Sequence, residues 1–244
     1  MQRRSYLAND EPLDALYKHF NVYNISSTFA SGTSVPSSID VPVRRDAHMP
    51  THLLALYPSD MPSDNSQIPS PQPTLVPVDA NLYNRGFRSE VIPVPPPGTL
   101  SPVPHSKTSS PHAVVTLPVV PLCVPNPSSV PLLLLYGMGL EANQHYLTTR
   151  LLPSQVIEEF PNAAEMAQVF AARVRDSSEY AERLDDETIF QRRIRFIQGL
   201  WQNILALGLR DVPIAEVVKT AWNVAAEARR LRTRYKSARG RWVD

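Results

Sequence analysis

Prolines decide what this chain can fold into, because they crowd one end of it. Twenty-two of the twenty-five lie at or before Pro131, and only Pro153, Pro161 and Pro213 follow. Proline fixes φ and removes a backbone donor, which excludes it from helix interiors and central strands. Between Pro36 and Pro111 it recurs every few residues among Ser, Thr, Asp and Asn, as in IPSPQPTLVPV and VIPVPPPGTLSPVPHS. Such stretches read as extended, polyproline-like chain. They bury too little apolar surface to offset an ordering entropy of about 1–2 kcal/mol per residue. The expectation for residues 1–112 is a long Pro/Ser-rich region that is mostly disordered.

Two islands interrupt that region. In DEPLDALYKHFNVY, Asp10 is placed to cap, Pro12 fits a first turn, and Leu13, Leu16, Tyr17 and Phe20 recur at helical spacing, predicting a short helix at 12–21. THLLALYPSD, around Leu53 to Tyr57, is a weaker helix candidate, because Pro50 and Pro58 bracket it closely. Pro93–Pro96 and Pro118–Pro121 meet the minimal PxxP spacing, but neither has the flanking arginine such ligands use, so a spacer is expected. Ser70, Ser101 and Ser110 each precede a proline, a weak signal for proline-directed kinases.

Residues 113–140 carry no charge: AVVTLPVVPLCVPNPSSVPLLLLYGMGL. The length is nominally enough for a membrane span of about 20 residues. Five prolines argue against one, since a bilayer demands that backbone groups be satisfied within the segment. The reading is an extended apolar strap over 113–131, leading into a short helix, Leu132 to Leu135, that is apolar all round and so buried.

From Leu140 onward Ala, Glu, Arg, Leu and Gln take over, all good helix formers. PSQVIEEF, PNAAEMAQVFAARVRD, a long stretch from about Thr188 to Leu207, and a last helix opened by Asp211 and Pro213 follow in turn. Phe190, Ile194, Ile197, Trp201, Ile204 and Leu205 form the apolar stripe of the long one, with Gly208 placed to end it. The acidic run Asp185-Asp186-Glu187 reads as a helix start. No alternating strand pattern intrudes. The fold class expected is all-α: a C-terminal bundle of four to six helices over 132–244, with Trp201 and Trp222 in its core, preceded by the disordered region.

The last helix ends in WNVAAEARRLRTRYKSARGRW. Val217, Ala221, Val224, Ala228, Leu231 and Tyr235 share one stripe. Arg229, Arg230, Arg232, Arg234, Lys236, Arg239 and Arg241 are spread over the rest of the circumference, with no acidic residue among them. Cations suit a helix C-terminus, by about 0.3–1 kcal/mol each near the last turn. Seven exceed that need, so these residues are the candidate contact for an acidic partner or nucleic acid, with nuclear import a further reading.

Chemistry is otherwise scarce. Five of six histidines lie in the proline-rich half, and Pro50 between His48 and His52 spoils their spacing for a shared metal. GxGxxG, Walker A and GxSxG patterns do not occur. Cys123 is the sole cysteine, and the basic N-terminus has no apolar run behind it. The expectation is a non-catalytic protein of cytoplasm or nucleus, without catalytic, cofactor or metal residues. Its helical domain would bind a protein partner or a second copy, and its tail would supply reach. A DNA- or RNA-associated regulator is the alternative, and membrane attachment through 113–140 a remote third.

Overall fold

The computed structural model describes residues 5–25, 35–59, 72–93, 102–107, 112–153, 156–157, 162–172 and 180–240. It overturns the all-α expectation. Four strands form one mixed sheet, and three of them come from the proline-rich half: β1 Ser38–Pro42, β2 His52–Pro58, β3 Thr74–Val78 and β4 Val114–Val124. Seven α-helices accompany them among the described residues: α1 Pro12–His19, α2 Ala80–Gly86, α3 Val130–Gly137, α4 Gln144–Leu151, α5 Ala163–Ala172, α6 Tyr180–Leu207 and α7 Val212–Gly240. The described parts of residues 1–112 are therefore not a long disordered region. The chain divides into two compact units, Met1–Ala142 with Asn203–Asp211, and Asn143–Gln202 with Val212–Asp244.

In the first unit the strand order is β1-β4-β2-β3. β4 changes neighbours midway. Val114–Pro118 runs antiparallel to β1, with Val41 opposite Val115. Val119–Val124 runs parallel to β2, with Leu54 opposite Val120, and β2 in turn runs antiparallel to β3, with Leu54 opposite Val76. This handover is how a strand with two internal prolines joins a sheet. A strand paired on one side at a time leaves alternate nitrogens without a ladder partner, and proline is tolerated there. Pro77 lies in β3, an edge strand, for the same reason.

The weak helix candidate THLLALYPSD is β2. Leu53, Leu54, Ala55 and Leu56 are each no more than 1% exposed, so both faces of the strand are covered. An unbroken apolar run marks such a strand, where alternation marks a half-buried one. Pro50 and Pro58 delimit it. α1 buries Ala15, Leu16 and Tyr17 and packs on β3 and α3. The Tyr17 hydroxyl donates to the Leu75 carbonyl at 2.9 Å, occupying an acceptor on the outermost strand. α3 buries every residue from Val130 to Tyr136.

Two close approaches lock this unit. Gly86, ending α2, abuts Gly137, ending α3: a Cβ on Gly86 would lie 1.8 Å from the Gly137 carbonyl oxygen. The corner after α6 turns at Gly208, whose φ is +67°. It is then sewn to the end of α2: Arg88 N–H donates to Gly208 O (2.9 Å), Ser89 N–H to Leu207 O (3.1 Å) and Arg210 N–H to Gly86 O (2.8 Å). Asn203, wholly buried in the last turns of α6, binds the turn before α3. Its Nδ2 donates to Asn126 O (2.6 Å) and Ser129 Oγ (2.9 Å), and its Oδ1 accepts from Asn126 N–H (3.2 Å).

The second unit is helical. α7 packs against α4 and α5. α5 buries Ala167, Phe170 and Ala171, and α7 buries Val218, Ala221, Val224, Ala225 and Ala228. Small residues on both stripes let the two axes come close. Glu165 N–H donates to Asn162 Oδ1 at 2.9 Å, the cap that opens α5. Trp201 and Trp222, expected in the core, are half-buried. The backbone of Asp185-Asp186-Glu187 lies inside α6, which starts at Tyr180, so this run does not begin a helix. Of the helix expected at PSQVIEEF, only Val156 and Ile157 fall within the described residues, and the rest lies outside them.

Candidate contact face on the last helix

α7 is held by its alanine-rich stripe, and the fate of each basic residue follows from its angle to that stripe. Arg232 lies on the packed side. It is 8% exposed, and its guanidinium carbon sits 4.0 Å from the centroid of the Phe190 ring on α6. Phe190 leans in turn on Phe170 of α5, with ring centroids 4.9 Å apart. A cation over an aromatic face is favourable, more so when desolvated. The long stem also covers apolar surface. Arg232 is therefore part of the packing of this unit, which corrects its place among the contact residues.

Arg229, Arg230 and Arg234 are exposed, and so is Thr233 between them. At about 100° per residue these four fall within one arc of about 140°. The sequence reading had the basic residues dispersed. Burial of Arg232 leaves the three described exposed arginines beside one another. Arg230 Nη1 approaches Glu227 Oε2 at 3.3 Å, with side chains 72% and 39% exposed. A pair so exposed contributes little and leaves the guanidinium available. Thr233 Oγ1 donates to the Arg229 carbonyl at 3.0 Å. Lys236 and Arg239 lie on the backbone of α7, and Arg241 is outside the described residues.

α6 adds Arg192 and Arg195, both exposed in the same unit. The run QRRIRF was their signal, and the reading passed over it because it followed the apolar stripe alone.

Elsewhere the described residues assemble no group of three or more His, Cys, Asp or Glu side chains able to hold a metal. His48, at φ +48°, stacks on His19 with ring centroids 5.9 Å apart, and Tyr6 Oη lies 2.9 Å from His19 Nδ1. These contacts fasten the turn before β2 to the end of α1. His52 opens β2 half-buried; burial lowers its pKa, while Asp79 pulls the other way. The pairs of His48 and His52 thus diverge. No described helix is long and apolar enough to cross a membrane, and residues 113–140 form β4, a short turn and α3.

Residues 145–241 match the family model of the Clampless protein 1 C-terminal domain. The match covers less than half of the chain. It takes in α4 to α7, the corner after α6 and all seven basic residues. No curated protein and no solved structure matches the chain.

Proposed function

We propose that this chain is a non-catalytic interaction protein whose helical unit engages an acidic segment of a protein partner through Arg229, Arg230 and Arg234. The observation that carries the reading is the sorting of the basic residues: Arg232 turned onto Phe190, the other three exposed on one arc. The sheet-containing unit acts as scaffold for the corner from which α7 springs.

Magnitudes favour a protein partner over nucleic acid. Three phosphate contacts would weaken DNA binding roughly fortyfold between 50 and 200 mM salt, where proteins making six to ten lose about a thousandfold or more. A groove-reading helix also needs polar readers beside its cations, and exposed Asn223 stands ten residues before Thr233.

The test is fluorescence anisotropy with two probes, a glutamate-rich peptide and a random-sequence DNA duplex. Changing Arg229, Arg230 and Arg234 together to Gln is expected to weaken peptide binding about tenfold or more at low salt, with the difference shrinking as salt screens it. Arg232→Gln is expected to leave that affinity in place and to lower the unfolding midpoint instead. Peptide binding indifferent to the triple change contradicts the reading. Strong duplex binding lost in the triple variant would transfer the face to nucleic acid.

A further inference from the structure

Residues 229–234 read Arg-Arg-Leu-Arg-Thr-Arg, and the fold sorts them in two. Leu231 is half-buried and Arg232 lies on Phe190, while Arg229, Arg230, Thr233 and Arg234 are exposed. Residues three and four apart are neighbours on a helix, so Arg230 and Arg229 flank the Thr233 hydroxyl from the turn before. The bond from Thr233 Oγ1 to the Arg229 carbonyl keeps that hydroxyl against the same turn. We propose that Thr233 is a phosphoacceptor for an arginine-directed protein kinase using ATP, and that Arg229 and Arg230 then hold its phosphate and withdraw the basic face from an acidic partner. The withdrawal rests on the reading of the arginine face given above; the modification does not.

Recognition and chemistry are both provided for. Arg230 stands three residues before Thr233, where kinases of this class read a cation with acidic groups, and Arg229 and Arg232 add to it. Thr233 Oγ1 attacks the γ-phosphorus of ATP, and the bond to the β–γ bridging oxygen breaks. ADP leaves, and the hydroxyl proton passes to the kinase's catalytic carboxylate. A kinase takes its acceptor as extended chain, so residues 230–234 must leave the helix transiently. Their position favours that. Past Arg232 the described side chains of α7, Thr233 and Arg234, are exposed, and opening toward a helix end is the least costly local unfolding. Once the helix re-forms, a phosphate of about −1.5 to −2 charges faces three arginines and accepts charge-assisted hydrogen bonds from the two that precede it. The arc falls from three positive charges to about one.

The experiment uses the 244-residue chain with magnesium-ATP and a calmodulin-dependent protein kinase, the site being read by fragmentation mass spectrometry. One phosphate is expected on Thr233, absent in Thr233→Val, retained in Ser237→Ala, and added about tenfold or more slowly in Arg230→Gln. The phosphorylated chain is expected to bind the glutamate-rich peptide about tenfold more weakly than the unmodified chain. Phosphate on Ser237, which Arg234 precedes by three residues, in place of Thr233 overturns the assignment. So does an unmodified Thr233 while the kinase turns over its control peptide. Phosphate incorporation is read without any partner. An unmodified chain that ignores the acidic peptide therefore counts against the arginine face alone, and a phosphorylated chain that binds as well as the unmodified one overturns the switch.

Discussion

Gly86→Ala is expected to destabilise the chain by about 2–3 kcal/mol, read as a lower urea midpoint with an unchanged slope. The new Cβ would sit 1.8 Å from the Gly137 carbonyl oxygen and 2.5 Å from its carbon. Those are backbone atoms, so no rotamer change relieves the contact, and the ends of α2 and α3 must separate. Separation also strains the bond from Arg210 N–H to Gly86 O. The opposing effect is small: alanine in place of glycine in a helix gains about 1 kcal/mol. Overpacking wins. A Gly86→Ala chain as stable as the parent would mean that the two helices do not meet this closely.

Asn203→Ala is expected to cost about 2–4 kcal/mol. Three hydrogen bonds are lost at a side chain with no exposure, and the Asn126 N–H and the buried Ser129 hydroxyl lose a partner. Asn203→Asp separates this account from simple loss of packing. An ionised carboxylate would face the Asn126 carbonyl across the distance a donor now spans. Burial and that carbonyl raise the folded pKa of the new carboxyl above its unfolded value, near 3.9. The protonated acid can donate where the amide did, so the destabilisation is least below the unfolded pKa and grows as pH rises through the folded one. Thermal unfolding at about pH 4 and pH 8 reads this directly. An Asn203→Asp deficit independent of pH would remove Asn203 from the bond network.

What the sequence disclosed followed from what each pattern measures. Helical periodicity reports one buried stripe per helix, and it served for α7, where Ala221, Val224 and Ala228 are all buried. It failed on α6 because the buried face turns along that helix. Phe190, Ile194 and Ile197 are buried as the stripe requires, but near its end Leu200, Asn203 and Leu207 are buried while Leu205 is 63% exposed. The last turns serve the sheet-containing unit, and no local pattern announces a change of partner.

Proline misled in a different way. It was read as excluding order, yet Pro42 and Pro58 end strands, Pro77 lies on an edge, and Pro118 and Pro121 lie in a strand paired on one side at a time. Pairing across 60 residues or more is not a local property, so the run HLLALYP carried the signal without the context to use it. The arginines were found as a cluster. Their division into packed and exposed sets depended on Phe190, some 40 residues away.

Amide hydrogen exchange on the 244-residue chain tests most directly whether the proline-rich half is folded into the sheet. The account predicts that Leu53 to Leu56, Leu75 to Val76 and Val115 to Leu117 exchange about a thousandfold or more slowly than unstructured chain. Exchange at unstructured rates through these strands, with the amides of α7 still protected, would contradict it and restore a flexible tail ahead of a helical bundle.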